Sequence, residues 1–343
     1  MSLPHGLGQW LWHQWQRRGL WARLMQPVAA ALQMWARRHQ AQPVPLPARV
    51  LVVGNVTVGG TGKTPVVANV ARHLHAWGWR VAVITRGHGA RHGHPRRVGP
   101  HDDARQAGDE PVWLAQQLQP LDIPVVAAHD RVAAARLALA EQPGCHWLIS
   151  DDGLQHHALA RDLELVVFDA RGVGNGLTLP AGPLREPWPR RADLVLQHGS
   201  PRLPDPQPQA CFAMQRRLAH TLRPLGAQAP MPLAQWRGQA VQAFAGIGAP
   251  QAFFAMLQQA GLDMVHPLAL ADHAALQQPP SGLHPTLPLV CTAKDAVKAS
   301  HWPAPWRNRL WVADLEVDCP PAFWTALQRA VSSVSSTHGQ TTA

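Results

Sequence analysis

A glycine-rich turn between a predicted buried strand and a predicted helix constrains this chain more than any other feature. The apolar run at residues 49–53 predicts the strand, and the helix is expected at residues 64–76, with Pro65 tolerated in its first turn. The turn between them reads GNVTVGGTGKT over residues 54–64. Backbone amides and a helix N-terminus bind phosphate oxygens in this kind of loop. The turn therefore predicts an α/β protein that binds a nucleotide.

The end of this turn matches the last residues of a P-loop, and the lysine usage supports the match. Lys63 is expected to reach the β- and γ-phosphates, and the Thr64 hydroxyl to hold Mg²⁺. Only three of the 31 basic residues are lysines. A lysine in this loop supports phosphate binding, because its compact charge on a slim stem fits a phosphate cradle better than a guanidinium does. Thr57 stands where the standard pattern has its first glycine. The alternative is a glycine-rich turn that binds nothing. The predicted nucleotide-binding residues are Thr57, Val58, Gly59, Gly60, Thr61, Gly62, Lys63 and Thr64.

Two adjacent carboxylates follow a second apolar run. Residues 146–150 predict a strand, and Asp151 and Asp152 come directly after it. Ligands of open α/β sheets bind at the carboxyl ends of the strands. The alternative is a pair of loop aspartates without a function. Because neighbouring carboxylates repel each other unless a cation lies between them, the pair favours a Mg²⁺ site.

Further apolar runs alternate between strand and helix patterns along most of the chain. The expected strands cover residues 49–53, 81–85, 125–128, 146–150, 165–169, 194–197, 241–245, 287–292 and 310–312, and the expected helices cover residues 64–76, 110–118, 131–141, 251–259 and 322–331. This alternation predicts a P-loop-type parallel sheet covered by helices, followed by a second, smaller α/β lobe. Proline-rich stretches at 199–208 and 223–232 are predicted linkers. The predicted units are residues 1–40, 41–220 and 221–332, with a disordered tail at 333–343.

The predicted N-terminal unit is rich in tryptophan and arginine. Residues 7–38 hold five of the 15 tryptophans and five arginines without an acid. Trp21, Leu24, Val28, Leu32 and Trp35 recur at helical spacing, and Pro27 is expected to kink that helix. An amphipathic helix docked on its own domain and a helix lying on a membrane surface are both open at this point. The charge favours the membrane, because residues 1–101 hold 13 basic residues and no acidic one.

Composition excludes several other classes of protein. The remaining residues hold 18 basic and 21 acidic side chains, so a uniformly basic nucleic-acid-binding surface is not expected. The four cysteines lack the spacing of a zinc site or a disulfide framework and suit a reducing cytosol. No secretory signal or transmembrane helix is expected.

Several blocks that follow one another in this order resemble a known family. They are Gly-Asp-Glu-Pro at 108–111, Asp-Asp-Gly-Leu-Gln-His at 151–156, Leu-Pro-Ala-Gly-Pro-Leu-Arg-Glu at 179–186, Asp-His at 272–273 and Thr-Ala-Lys-Asp-Ala-Val-Lys at 292–298. With the loop, they resemble the tetraacyldisaccharide 4′-kinase family, also called lipid A 4′-kinases, over nearly the whole chain. The resemblance implies two α/β lobes. It also implies Mg²⁺-dependent transfer of the ATP γ-phosphoryl group to the 4′-hydroxyl of an acylated disaccharide 1-phosphate, which gives lipid IVA.

The resemblance further implies a location and residue roles. The family works on the cytoplasmic face of the inner membrane as a monotopic protein, and no protein partner is implied. Asp109 resembles the family's catalytic base and His273 its partner. From the residues alone, a helix N-cap and a solvated histidine are the alternatives. Residues matching positions near the nucleotide, sugar phosphate or lipid headgroup are Arg131, Gln155, His156, Arg185 and Glu186.

Two departures and two competing functions accompany the resemblance. His88 stands where the family pattern has tyrosine, and Ala293 stands where it has glutamate. A membrane-associated ATPase switch is one competing function, but such proteins carry a lysine where this chain has Val58. A nucleotide-gated interaction protein without catalysis is the other. Asp109, Asp151 and Asp152 together favour chemistry.

Overall fold

The computed structural model of this chain describes residues 5–59, 61–87, 94–199, 203, 210–271, 274 and 276–336. Four of the predicted features lie wholly or mostly outside these residues. They are Gly60 of the loop, His88, most of the predicted linker at 199–208, and His273, the expected partner of the base.

One mixed sheet runs through the described part of the chain. Its 14 strands are β1 (Arg49–Gly54), β2 (Val81–Thr85), β3 (Arg96–Val98), β4 (Val125–Ala127), β5 (Trp147–Asp151), β6 (Leu163–Phe168), β7 (Leu194–His198), β8 (Ala210–Pro224), β9 (Met231–Pro232), β10 (Ala240–Ala245), β11 (Asp263–Met264), β12 (Leu268–Ala269), β13 (Leu289–Thr292) and β14 (Leu310–Asp318). The order along the sheet is β11-β10-β13-β14-β8-β7-β6-β1-β5-β2-β4-β3, with β12 beside β10 and β9 beside β8. Every strand predicted from the sequence is present.

Helices connect and cover these strands. They are α1 (His5–Trp15), α2 (Leu20–Arg38), α3 (Lys63–Ala76), α4 (Ala104–Ala107), α5 (Asp109–Leu118), α6 (Arg131–Glu141), α7 (Pro250–Gln259), α8 (Ala293–Ala299), α9 (Ala304–Arg307) and α10 (Pro321–Ser336). Strands β7, β6, β1, β5, β2 and β4 are parallel to one another, and so are β10, β13 and β14. Antiparallel pairing joins β3 to β4, β9 to β8, and β14 to the second part of β8. The predicted parallel α/β architecture is confirmed.

Strand β8 corrects the predicted linker and joins two parts of the sheet, which we call the first lobe (β1 to β7 with their helices) and the second lobe (β9 to β14 with theirs). Residues 210–214 pair in parallel with β7, and residues 215–224 pair antiparallel with β14. The prediction placed a linker at 223–232, but β8 continues to Pro224 and β9 lies within that stretch. The predicted boundary after residue 220 also falls inside β8. This strand mixes apolar, polar and basic side chains without a regular alternation, so its sequence pattern is weak, which explains the error.

The hydrophobic core is continuous across the lobes on one face of the sheet. A single buried cluster contains Leu51 of β1, Leu114 of α5, Phe244 of β10 and Phe323 of α10. Two other clusters fill the opposite face, one under each lobe. This shared layer fixes α5 of the first lobe and α8 of the second against each other, a contact that matters for the site.

The two chain ends differ in part from expectation. The N-terminal unit forms two helices, α1 and α2, with a break at residues 16–19, and Pro27 lies inside an uninterrupted α2. None of the described helices combines the length and the apolar character that a membrane-crossing helix needs. At the other end, α10 runs to Ser336, so residues 333–336 of the predicted disordered tail are helical.

Candidate active site

The glycine-rich turn lies at the carboxyl end of β1 and is held by neighbouring backbone. Gly62 adopts a left-handed conformation at φ 71° and precedes the first residue of α3, which Lys63 supplies. The amide of Val58 donates to the carbonyl of Pro183 at 2.9 Å, and the amide of Arg185 donates to the carbonyl of Val56 at 2.7 Å. The turn is therefore paired with the 183–185 segment, which is one of the blocks singled out in the sequence.

Lys63 bridges the turn to the aspartate pair. Its ammonium donates to Asn55 Oδ1 at 3.1 Å and lies 3.3 Å from Asp152 Oδ1. Asn55 also donates to the carbonyl of Thr57 at 2.8 Å, so its amide braces the loop. Asp152 itself has φ 53°, in the left-handed region that a non-glycine residue adopts at a cost. Such strain is common at functional sites, where the surrounding structure maintains it.

Asp151 is the last residue of β5 and is buried next to this cluster. Its Oδ1 is buried and has no hydrogen-bond partner in the described structure. Burial, with the nearby Glu110 carboxylate adding to it, raises the pKa of Asp151 to about 7. Asp152 behaves differently, because Lys63 and Arg185 outweigh the effect of burial and lower the pKa of its carboxyl. Asp152 is therefore already paired with cations, whereas a further cation would stabilise the carboxylate of Asp151.

These oxygen donors fit a magnesium ion. Thr64 is buried in the first turn of α3, and the aspartates end the adjacent strand β5. The described residues include no group of three or more His, Cys, Asp or Glu side chains placed to hold a metal ion. A nucleotide-bound Mg²⁺ needs only one or two carboxylates, since phosphate and water oxygens complete its coordination.

Arg131 and His156 lie behind the aspartates. Arg131 is buried, and its guanidinium donates to the carbonyls of Ala128 at 2.8 Å and Asp151 at 3.3 Å. Burial lowers the pKa of Arg131 to about 10. His156 Nε2 accepts from the Arg131 amide at 3.3 Å, and burial together with the Arg131 charge lowers the pKa of the imidazole. The pair braces the end of β5 in this conformation.

Gln155, Arg185 and Glu186 form a polar chain on the other side of Asp152. Arg185 lies 3.2 Å from Asp152 Oδ2 and donates to Gln155 Oε1, also at 3.2 Å. Gln155 Nε2 donates to Glu186 Oε1 at 2.6 Å. The structure thus brings these three predicted residues together with Lys63 and the aspartates in one network.

Asp109 lies at the first position of α5, and the second lobe contacts it. Gly108 is the N-cap of that helix, while Asp109 Oδ1 accepts from the Glu110 amide at 3.1 Å. Asp109 Oδ2 lies 3.3 Å from the ammonium of Lys298, and Glu110 forms an ion pair with Lys294. The N-cap interpretation of Asp109 is therefore wrong, because Gly108 occupies that position and Asp109 is the first helical residue, with its side chain facing the Lys298 cation.

Helix α2 docks on the first lobe with the face opposite its apolar stripe. Ala22 and Ala29 are buried, and Gln33 donates to the carbonyl of Arg185 at 3.2 Å. The indoles of Trp15 and Trp21 both donate to the carbonyl of Pro180, at 3.0 and 3.2 Å. The helix is docked on its own domain, while the membrane-surface interpretation stays a prediction. The large apolar side chains of α2 that are exposed are Leu20, Leu24, Val28, Leu32, Met34 and Trp35.

A cleft of about 590 Å³ lies between the C-terminal part of α2 and the polar chain. Its walls include the following charged or polar side chains: Gln33, Arg37, His39, Gln155, His157, Arg185, Glu186 and Arg190. The cleft therefore connects the outward-facing helix with residues that also contact Asp152.

Sequence reasoning missed four residues that contact the predicted site. Asn55 accepts a hydrogen bond from Lys63. Lys298 pairs with Asp109, and Lys294 pairs with the next residue, Glu110. Asn55 and Glu110 are immediate neighbours of recognised motifs, which was an available signal. The two lysines contact α5 from 184 or more positions along the chain, and their rarity and the family block at 292–298 mark them without indicating a role.

The fold and the site define a P-loop phosphotransferase, because a phosphate-binding turn, a buried aspartate pair and cationic side chains meet at the carboxyl edge of a parallel sheet. The sequence profile of the tetraacyldisaccharide-1-P 4′-kinase family matches residues 21–332. The chain belongs to this family, and it is an enzyme of the kinase class. The family resemblance inferred from the sequence blocks is thereby confirmed.

Individual relatives agree over nearly the whole chain. The tetraacyldisaccharide 4′-kinase of Verminephrobacter eiseniae (strain EF01-2) is 47% identical over 328 residues, covering 91% of this chain and 73% of that protein. The one from Acidovorax sp. (strain JS42) is 42% identical over 348 residues, covering 97% of both. The crystal structure of the apo form of LpxK from Aquifex aeolicus in complex with ATP superposes with a TM-score of 0.70 at 26% identity, covering 90% of this chain and 97% of that one.

Proposed function

We propose that this chain transfers the γ-phosphoryl group of ATP to the 4′-hydroxyl of a tetraacyldisaccharide 1-phosphate, forming lipid IVA at the cytoplasmic face of the inner membrane. The oxygen of the acceptor hydroxyl forms a bond to the γ-phosphorus. The bond between that phosphorus and the β,γ-bridging oxygen breaks, ADP leaves, and the hydroxyl proton passes to a carboxylate. The observation that carries the proposal is the network joining Lys63, Asp152, Arg185 and Gln155, the last two of which line the cleft.

The phosphate side of this reaction falls to the loop and its neighbours. In the proposal, residues 57–64 cradle the ATP phosphates with their amides, and Lys63 turns from Asp152 to the β- and γ-phosphates. Arg185 lies where a second cation would stabilise charge on the transferring group. Both side chains now neutralise Asp152, so they become available once a cation takes over that role.

Thr64, Asp151 and Asp152 are the residues that would hold Mg²⁺. When bound, this ion supplies positive charge to the phosphate oxygens and supports their geometry. The unsatisfied, buried Oδ1 of Asp151 supports the assignment, because a buried carboxylate oxygen without a hydrogen bond is costly.

Asp109 is the proposed general base. It is buried at the start of α5, and its carboxylate contacts the Glu110 amide and Lys298. The two oxygens of a carboxylate can accept from several donors at once, so these contacts are compatible with an approaching hydroxyl. A carboxylate within hydrogen-bond reach of a sugar hydroxyl accepts its proton as the phosphoryl group arrives. His273 remains the proposed partner of this base on the strength of the sequence resemblance.

The outer face of α2 and the cleft suit an anionic lipid acceptor. Exposed leucines and a tryptophan along one helical face, next to arginines without acids, are typical of helices that lie in a membrane interface. The cleft begins at the C-terminal part of the same helix and ends at Gln155 and Arg185. A lipid with its acyl chains in the bilayer can therefore place its sugar in the cleft, where Arg37 suits a phosphate.

The test is acceptor-dependent ATP turnover. ADP release is measured with detergent-dispersed tetraacyldisaccharide 1-phosphate, without any lipid, and with the same lipid already phosphorylated at the 4′ position. The proposal expects turnover only with the free 4′-hydroxyl. Equal ADP release in all three reactions would instead support the ATPase-switch alternative.

A further inference from the structure

All three lysines of the chain lie in or beside the candidate site. Lys63 belongs to the phosphate loop, while Lys294 and Lys298 lie one helical turn apart on α8. Both α8 lysines point at consecutive acids of the first lobe, Lys294 at Glu110 and Lys298 at Asp109. This chain uses arginine at its other 28 basic positions, so the two α8 lysines form a distinct feature.

Helix α8 is fixed firmly enough to place these ammonium groups. Asp295 is buried and accepts from the Gly246 amide at 3.0 Å and from the Thr292 hydroxyl at 2.7 Å. These bonds tie the start of α8 to the ends of β10 and β13. The remaining side chains of α8 are mostly buried in the core layer shared by both lobes. The lysines thus project from a well-packed support.

The Lys298–Asp109 pair is the more enclosed of the two. The Lys298 side chain is 11% exposed and that of Asp109 is 7% exposed, whereas Lys294 and Glu110 are 34% and 28% exposed. Burial alone would lower the pKa of Lys294, but the carboxylates of Glu110 and Asp109 outweigh it and raise that pKa. A screened surface pair contributes little, whereas breaking a buried pair leaves an uncompensated charge.

We infer that Lys298 is a positioning residue for this reaction, which holds the Asp109 carboxylate in a fixed orientation from the opposite lobe. The inference rests on the proposed role of Asp109 as the base. One carboxylate oxygen accepts from the Glu110 amide, and the other lies 3.3 Å from the Lys298 ammonium in an ion pair, so the carboxylate is contacted from two different lobes. A base held in this way meets the acceptor hydroxyl without having to reorient first.

Lysine suits this position better than arginine. Its ammonium is a compact point charge on a slim stem, which fits a narrow space between two packed helices. A guanidinium is wider and directs its donors in a planar fork. Lys298→Arg therefore keeps the charge but shifts its centre, and Lys298→Met keeps the stem and removes the charge.

The experiment is a double-mutant cycle on the intact protein, measured as transfer of labelled phosphate to the acylated disaccharide. Lys298→Met is expected to lower kcat about 10- to 100-fold with little change in the KM for ATP, and Lys298→Arg is expected to recover part of that loss. Because Lys298 acts through the base, adding Lys298→Met to Asp109→Asn is expected to lower kcat no further. Lys294→Met is the matched comparison, and its effect is expected to multiply with that of Asp109→Asn.

The outcomes separate this inference from the proposed function. Absence of transfer by the wild-type protein would overturn the proposed function itself. If the wild type transfers phosphate and Lys298→Met keeps its full kcat, or if the effects of Lys298→Met and Asp109→Asn simply multiply, the positioning role is wrong. If the effect of Lys294→Met on kcat, rather than that of Lys298→Met, disappears in the Asp109→Asn background, the positioning residue is Lys294 and the inference about Lys298 is wrong. If Lys298→Met lowers the thermal midpoint markedly, the kcat of Lys298→Arg is compared with that of the wild type instead. A lower kcat with an unchanged thermal midpoint supports the positioning role, and an unchanged kcat contradicts it.

Discussion

The candidate site has two halves that are built in different ways. The phosphate half contains Lys63, Asp151, Asp152 and Arg185, which all come from the first lobe and lie at or near the ends of neighbouring strands. The acid–lysine half contains Asp109 and Glu110 of α5 with Lys294 and Lys298 of α8. The first half is therefore preformed within one lobe, whereas the second exists only where the two lobes meet.

This difference separates binding from chemistry. A site within one lobe keeps its geometry when the lobes move relative to each other, which suits the capture of a nucleotide. A base held from both lobes is sensitive to how the lobes pack, so its alignment depends on the shared core layer. Substitutions in the phosphate half are thus expected to affect every step that involves ATP, and those in the acid–lysine half to affect kcat more selectively.

The largest effect is expected at Lys63. Lys63→Ala removes the cation proposed to contact the transferring phosphates and should lower kcat on the order of 10³-fold. Lys63→Arg should fail almost as badly, because a planar guanidinium does not fit a cradle of backbone amides. Steady-state transfer assays check both variants. A near-normal kcat for Lys63→Ala would remove the basis for the phosphate half.

Asp109→Asn is expected to have the next largest effect. The substitution keeps the shape of the side chain and its contact with the Glu110 amide but removes the ability to accept a proton, so kcat should fall about 10²- to 10³-fold. The KM for ATP should stay within a few-fold, as measured from the ATP dependence of the rate. A change confined to KM would return Asp109 to a structural role at the start of α5.

A smaller and more specific effect is expected at Asp151. Asp151→Asn weakens the proposed cation site, so the Mg²⁺ concentration that gives half-maximal rate should rise roughly tenfold or more. Part of the lost rate should return at high Mg²⁺. The exposed ion pair of Arg97 and Glu141 offers a control, because Glu141→Gln removes a carboxylate at the C-terminal end of α6 and should leave the Mg²⁺ dependence unchanged. Identical Mg²⁺ curves for Asp151→Asn and wild type would contradict the assignment.

The smallest effect on chemistry is expected at the outer face of α2. The double variant Leu24→Ser/Leu32→Ser removes two exposed leucines and should weaken binding to anionic lipid vesicles at least about tenfold. Transfer to acceptor dispersed in detergent should remain close to normal. Gln26→Ser, an exposed polar position on the same helix, is the matched control. Deletion of residues 1–40 is a poorer test, because it also removes the contacts of Trp15 and Trp21 to Pro180.

Unchanged vesicle binding by the double leucine variant would place the lipid contact elsewhere on the protein. Leu24 and Leu32 are exposed and do not line the cleft, so we expect their contribution to be separable from that of the two halves of the site. The leucine variant and Asp109→Asn should therefore show opposite patterns, one losing membrane binding with chemistry intact and the other the reverse.

The phosphate half could be predicted well from the sequence for a physical reason. Strand β1, the turn and α3 are contiguous, and their residues interact within a few positions of one another. Asp151 and Asp152 were found because the end of a buried strand is recognisable locally. Helices α5 and α6 could also be predicted from their local sequence pattern, because each buries an apolar face in the core.

The remaining features depend on contacts that no local pattern encodes. Strand β8 has no regular alternation of apolar and polar residues, yet it pairs with β7 and β14. The ion pair between Lys298 and Asp109 forms only when the two lobes pack together, because the helices that carry these residues lie far apart in the chain. The direction of the α2 stripe also depends on tertiary docking, because Ala22 and Ala29, rather than the larger apolar residues, face the protein.

The most direct test of the proposed reaction follows the phosphate itself. Wild-type protein and Asp109→Asn are incubated side by side with γ-labelled ATP, Mg²⁺ and tetraacyldisaccharide 1-phosphate, and the position of the label in the lipid is determined. We predict that the wild type places the label on the 4′-oxygen and that Asp109→Asn forms the same product at least about 100-fold more slowly. Label found only in inorganic phosphate, or equal rates for the two proteins, would contradict the proposed phosphoryl transfer with Asp109 as its base.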